Sequence, residues 1–387
     1  MRVPRPRILC ISFSHFVSDS RVLRQLEVLT RFGDVTTIGY GEAPPGVSEH
    51  LEIDAALPSL PQTIPGATKL AFRAYRSVLF DAPAVAAGLE LLQGRSFDLV
   101  VANEARALPL AHRVADGAPV WGDMHEWAPQ ERTHVLSWRL LVAPFMTWVC
   151  REYLPRTAAV TTINGSIAEL YEQHFGVRSR IVRNAIGYQD LRPSAVEPER
   201  IRLVHSGGAV PGRSIETLIE AVSQLDDRFS LDLYLVKARG SDRYWQSLVD
   251  AAAQDDRITV HDPVPPATLP RVLNGYDVGV FVLPPRTMNH RLMLPNKFFD
   301  MVQARLGLVF STAVETDALI EQYELGLVSP GFGTAELVAT LRQLTPESVA
   351  KYKQAADAAA HELNAERDVR VEEELLTELL AGRTGTA

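Results

Sequence analysis

Short runs of β-branched and apolar residues alternate along this chain with stretches whose apolar positions recur every three or four residues. That alternation predicts parallel strands covered by crossover helices. In the first half the runs Ile8–Phe13, Val35–Tyr40, Leu99–Ala102, Val120–Asp123, Ala159–Ile163 and Arg180–Val182 read as strands. The first helix has Ser18 or Asp19 as its cap, Val22, Leu23, Leu26 and Leu29 as its apolar face, and Gly33 as its stop. A Pro- and charge-containing stretch, Gly187–Arg200, reads as a linker, after which the pattern restarts. Strands are expected at Arg202–His205, Leu231–Val236, Ile258–His261, Val278–Leu283 and Leu308–Ser311. Helices are expected at Ile215–Gln224, Trp245–Ala253, Asn296–Ala304 and Glu315–Tyr323, with the chain almost wholly helical from about Ala335. The reading is therefore α/β, with one Rossmann-like domain over 1–186, a linker over 187–200 and a second domain over 201–365. A final C-terminal helix, 366–387, is expected, with packing back on the first domain left open.

Length and composition agree with two packed domains. The chain has 387 residues, 46% hydrophobic and 22% charged, more than one growing core accommodates and far from the disordered class. The 39 basic and 47 acidic residues give a formal charge of −8, which excludes a broad phosphate-neutralising surface for nucleic acid. Two cysteines, Cys10 and Cys150, make no disulfide framework and fit a reducing compartment. The apolar run Ile8–Ile11 is too short for a signal peptide, and Leu140–Cys150, interrupted by Pro144, is about half of the roughly 20 residues a spanning helix needs. A cytoplasmic protein is expected, with a membrane-surface contact of the 140–150 stretch left open.

Three segments carry chemistry. Ser206-Gly207-Gly208-Ala209-Val210-Pro211-Gly212-Arg213-Ser214 lies between a strand and an amphipathic helix. Its glycines let backbone approach a ligand, the helix start offers free N–H groups to an anion, and Arg213 adds a fixed charge. The segment Asn289 to Asp300 also joins a strand to a helix. It sets Lys297 in the first helical turn, against the dipole, unless an anion binds there. Both lie at the carboxyl ends of parallel strands, where open α/β sheets bind ligands. A diphosphate held by Arg213, Lys297 and the backbone of Gly207 and Gly208, with Asn296 beside Lys297 and Asp300 accepting from ribose, fits these residue types. The third segment, Asp123-Met124-His125-Glu126, follows a strand and places His125 on a strand-end loop suited to polarising a sugar hydroxyl. No two aspartates are separated by one residue, and no pair of histidines has the helical spacing of zinc hydrolases. A metal-free, cationic clamp is therefore expected.

Taken together, these pieces resemble the retaining glycosyltransferases of the GT-B fold, in particular glycosyltransferase family 4. Gly208 to Ser214 is similar to the family's Gly-x-x-x-Pro-Gly-Arg-Gly turn, with Ser214 in place of the last glycine. Pro295, Asn296, Lys297, Phe299 and Asp300 are similar to its Pro-Asn-Lys-x-Phe-Glu element. Asp19-Ser20-Arg21-Val22-Leu23-Arg24 and Asp123-x-His125-Glu126 also follow family patterns. Leu292 stands where the family has the first of two glutamates, Lys237-Ala238-Arg239 where it has Gly-x-Gly, and Ser12-Phe13-Ser14-His15 has no glycine pair. The resemblance implies two Rossmann-like domains facing a cleft and transfer of a sugar, with retention, from a nucleoside-diphosphate sugar to an acceptor hydroxyl, with no further cofactor. Arg213 and Lys297 would hold the diphosphate, Asp300 the ribose, and His125 the transferred sugar. Ser14, His15 and Arg21 would lie on the acceptor side, the acceptor being a glycan, a lipid-linked molecule or a small metabolite. A nucleotide-sugar epimerase or hydrolase of the same fold, and a non-catalytic nucleotide-sugar-binding subunit, remain alternatives.

Overall fold

The computed structural model describes residues 4–61, 63–237 and 240–381. The chain divides into two compact units. The first comprises Met1–Arg183, Thr287–Asn289 and Asp368–Ala387; the second comprises Asn184–Arg286 and His290–Arg367. The stretch 187–200, expected as a linker, is part of the second unit: Gln189 N–H donates to Gln303 Oε1 (2.9 Å), and Ser194 Oγ donates to the Asn274 carbonyl (2.7 Å).

The first unit holds a seven-stranded parallel sheet made of β1 (Arg7–His15), β2 (Asp34–Tyr40), β3 (Glu49–Ile53), β4 (Leu99–Asn103), β5 (Val120–Met124), β6 (Ala159–Thr162) and β7 (Arg180–Ile181). Their spatial order is β3-β2-β1-β4-β5-β6-β7. The second holds a six-stranded parallel sheet of β8 (Ile201–Ala209), β9 (Phe229–Lys237), β10 (Ile258–His261), β11 (Val278–Phe281), β12 (Gly307–Ser311) and β13 (Gly326–Ser329), in the order β10-β9-β8-β11-β12-β13. Both sheets reverse their winding beside the first strand, between β1 and β4 and between β8 and β11. A doubly wound sheet opens a crevice at the carboxyl ends of those strands. The central strands β4, β5, β11 and β12 are buried along their whole length, so they read as largely apolar runs, with Asn103, Asp123 and Ser311 near their carboxyl ends. The two strands absent from the sequence reading, β3 and β13, are edge strands with alternating or partial burial.

Helix Ser20–Phe32 forms as its pattern predicts: Asp19 caps it by accepting from Val22 N–H (3.2 Å), and Val22, Leu26 and Leu29 are buried against β1 and its neighbours. Gly33 caps its end in an extended conformation, and a side chain is excluded there because a Cβ would meet the Pro6 carbonyl and the Ile8 side chain. The apolar stretch 140–150 begins at the exposed Leu140 and enters the core only from Phe145 on. Pro144 sits in the first turn of helix Ala143–Tyr153, which buries Phe145, Met146, Val149 and Cys150. Among the described residues no helix is long and apolar enough to cross a membrane. The last helix, Ala365–Ala381, leaves the second unit, and Leu375 and Leu376 join the core of the first; residues 382–387 of the expected 366–387 helix lie outside the described residues.

Candidate functional site

In the second unit the glycine-rich segment is straighter than expected. Strand β8 continues through Ser206, Gly207 and Gly208 to Ala209, and only Val210–Ser214 turns before helix Ile215–Val222. Ser214 closes the turn at φ 53°, ψ 35°, the left-handed conformation that glycine adopts at least cost. That is why a glycine suits this position, and the serine accepts the strain.

Helix Asn296–Gln303 has Pro295 as its N-cap, with Lys297 in the opening turn. The Lys297 ammonium reaches back over β8: a Cβ on Gly207 would lie 2.5 Å from both Cε and Nζ, so only glycine at φ 150° admits it. Arg213 Nη1 is 3.7 Å from where a Gly208 Cβ would stand. Neither cation is in an ion pair among the described residues. Burial, with Arg213 as a second cause, pushes the Lys297 ammonium down to about 8, against a smaller upward pull from Asp300 one turn on. Lys297 also stands 5.7 Å above the Phe281 ring. Beneath them is His205, which sequence reading left as a plain strand residue. Its Nδ1–H donates to the Val280 carbonyl (2.9 Å), and burial together with Lys297 pushes the ring down to about 3, so it stays neutral. A further cation, Arg286, packs its guanidinium where a Cβ on Gly212 would be. Two unpaired cations converging on bare strand-end backbone are electrostatically unfavourable, and an anion relieves them. Asn296 is exposed at the helix start, while Ala238 and Arg239, which replace the family's Gly-x-Gly, lie outside the described residues.

In the first unit the acidic end of β5 is the organising element. Asp123 is buried and accepts from Arg21 Nη2 (2.6 Å) and Nε (2.8 Å) and from Thr161 Oγ1 (2.6 Å). Burial alone would raise this carboxyl, but Arg21 and His125 hold it well below the usual carboxylate range. Arg21 also donates to the Val182 carbonyl (2.7 Å). Arg21, which the sequence suggested for the acceptor side with Ser14 and His15, has its guanidinium enclosed, where it positions Asp123. His125 Nε2–H donates to Asn103 Oδ1 (3.1 Å), 3.3 Å from Asp123 Oδ2, while Nδ1 faces Glu104 Oε1 at 3.8 Å. Glu104 follows β4 with φ 66°, a conformation costly for a residue with a side chain and associated with functional sites. It pairs with Arg106. The next acid, Glu126, is pushed up to about 8 by burial and by Glu131 and Glu104, and its Oε2 accepts from Asn289 Nδ2 at 2.6 Å.

Beside this cluster is a cavity of about 290 Å³ lined by Ser14, His15, Tyr40, Ser59, Arg106, Glu131, Arg132 and Trp138 among others. Ser14 Oγ is hydrogen-bonded to Ser12 Oγ (2.8 Å), and His15 is exposed with its ring 5.9 Å from Tyr40. Glu104, Arg106, Glu131 and Arg132 were not foreseen, since as isolated surface charges nothing in their spacing distinguishes them. Among the described residues no three His, Cys, Asp or Glu side chains converge as metal ligands.

The whole-chain architecture matches solved glycosyltransferase structures. HepE of Anabaena, solved with UDP and glucose, is 14% identical over 98% of this chain and 100% of its own, with a TM-score of 0.66. Sucrose-phosphate synthase of Thermosynechococcus elongatus is 15% identical over 98% and 100%, TM-score 0.69. The UDP-forming α,α-trehalose-phosphate synthase of Burkholderia vietnamiensis is 11% identical over 99% of both chains, TM-score 0.66. The chain has the GT-B fold. No protein-family model and no curated protein matches it in sequence. On the GT-B frame the sequence-expected residues fall into two sets. Gly207, Gly208, Arg213, Asn296, Lys297 and Asp300 belong to strand and helix ends of the second unit, and Ser14, His15 and His125 to strand ends of the first.

Proposed function

We propose that this chain transfers a glycosyl group from a nucleoside-diphosphate sugar to an acceptor hydroxyl with retention, and without a divalent metal. The observation that carries the reading is the pair Arg213 and Lys297, unpaired among the described residues, over the bare backbone of Gly207 and Gly208. A diphosphate supplies the negative charge this arrangement lacks. The clamp then stabilises the charge that grows on the departing diphosphate, assistance often worth about 3 kcal/mol per donor. The GT-B likeness to enzymes solved with UDP or UDP-glucose supports the same choice of ligand.

In this reaction the bond from the anomeric carbon to the diphosphate oxygen breaks, and a bond to the acceptor oxygen forms on the same face. The acceptor proton passes to the departing phosphate oxygen. His125, oriented through Nε2 by Asn103 and Asp123, keeps Nδ1 for a sugar hydroxyl. The cavity at Ser14 and His15 supports a bound acceptor, and so favours transfer over epimerisation or hydrolysis. A thermal-shift panel of nucleoside diphosphates and their sugars tests the donor class, because a ligand at 100 times its Kd adds about 2.7 kcal/mol. Turnover in excess EDTA tests the metal-free clamp. Unchanged rates support it, and activity that vanishes and returns with Mg²⁺ or Mn²⁺ defeats it.

A further inference from the structure

We infer that the first unit carries a docking surface for an anionic lipid bilayer, built by helix Ile64–Ala71 with its following turn and by residues 132–142. The large apolar side chains that face solvent concentrate there: Ile64 is 87% exposed, Phe72 83%, Leu140 63% and Leu136 59%. The two segments are in contact, and the rings of Tyr75 and Trp148 beside them lie 5.7 Å apart, so these side chains share one region of the unit. A soluble surface rarely gathers such residues without a partner. Their own elements do not enclose them: helix Ile64–Ala71 buries Gly66 and Leu70, and the helical turn Trp138–Val142 buries Trp138. The chain reverses at Arg73, φ 55°, immediately after Phe72.

Charge identifies the occupant. The chain has net charge −8, yet residues 63–80 and 132–151 contain Lys69, Arg73, Arg76, Arg132, Arg139 and Arg151 and not one Asp or Glu. Lys69 is paired with Asp81, and Arg132 lies 3.5 Å from Glu131. The other four are exposed and form no ion pair among the described residues. Exposed apolar side chains interleaved with uncompensated arginines fit the boundary between headgroups and acyl chains, where the apolar groups leave water and the cations meet anionic headgroups. A protein partner would need a matching acidic, apolar face, and a second copy of this chain would set arginine against arginine. The segment 132–140 also supplies Arg132 and Trp138 to the 290 Å³ cavity, so the docking surface and the cavity share a wall.

Flotation of the purified chain with vesicles tests this and needs neither donor nor acceptor. The chain is expected to float with vesicles of phosphatidylcholine and phosphatidylglycerol, and to remain in solution with phosphatidylcholine alone or when salt is raised beyond the range of surface charge. Two variants, I64S/F72S/L136S/L140S and R73Q/R76Q/R139Q, should each lower the floated fraction about tenfold or more, while keeping the wild-type melting temperature and any nucleoside-diphosphate shift. The inference is overturned if the wild type stays in solution with every vesicle, or if either variant floats like the wild type. It is equally overturned if sedimentation shows a wild-type dimer that the serine variant dissociates. Because the diphosphate shift is read on the same samples, failure here is distinguishable from failure of the glycosyl-transfer reading.

Discussion

Replacing Lys297 with methionine separates what this residue costs the fold from what it contributes to binding. The ammonium titrates near 8 instead of its ordinary 10.5, because burial and Arg213 disfavour its charged form. At ~1.4 kcal/mol per unit of pKa, the charged lysine is about 3 kcal/mol worse off in the folded protein than in the unfolded one. Partial solvent access to the side chain brings the expected cost to about 1–2 kcal/mol. The pH window follows from the downward direction of the shift. Below about pH 8 both states hold the proton and the cost is fully present; as pH rises from 8 towards 10.5 only the unfolded state still binds it, and the cost fades. At pH 7, Lys297→Met should therefore melt higher than the wild type, by roughly 2–8 °C for a unit of this size. The same variant should lose the stabilisation by nucleoside diphosphate, so the two melting curves cross in order when ligand is added. Differential scanning calorimetry at pH 7, with and without UDP or GDP, reads both effects. A variant that melts lower without ligand, or one that keeps the full ligand shift, refutes the reasoning.

Arg213→Ala should cut donor turnover about a hundredfold, equivalent to roughly 3 kcal/mol of lost charge stabilisation, with melting no lower than the wild type because a repulsion on Lys297 is relieved; near-wild-type kinetics would move the diphosphate elsewhere. His125→Ala should lower kcat far more than it weakens nucleoside-diphosphate binding, and a proportional loss of affinity with kcat intact would return the histidine to a structural role. Arg21→Met leaves the enclosed Asp123 carboxylate without its main cation and should cost about 3–5 kcal/mol of stability, seen as a lower urea midpoint. A loss under 1 kcal/mol would mean that Thr161 and His125 suffice to hold Asp123.

The strands and helices that were legible in the sequence are those whose burial makes a periodic signal. β4, β5, β11 and β12 are enclosed on both faces and appear as largely apolar runs, and helix Ser20–Phe32 shows its cap and its stripe. β3 hid because Glu49, His50 and Glu52 break its apolar positions, and β13 because three half-buried residues and one buried serine carry no period. The candidate residues of the second unit stood out in the sequence since glycines, a lysine set against a helix dipole and an arginine at a strand end are each costly locally, and that cost is itself a signal. The enclosure of Arg21 was not legible because a motif position says nothing of which way a guanidinium turns. His205 and Glu104 were missed for related reasons. The first is an unremarkable strand residue until Lys297 folds over it, and the second betrays itself only by its backbone angle.

The central claim is that the chain moves a sugar, and the most direct measurement is the initial rate of nucleoside-diphosphate release from a panel of nucleotide sugars, with and without acceptor. The products are examined by NMR for anomeric configuration. The account predicts release that depends on an acceptor hydroxyl, falls about a hundredfold in Arg213→Ala and yields a product with the donor's anomeric configuration. Release of free sugar or an epimerised donor without acceptor, or no release from any donor by a folded chain, would contradict it.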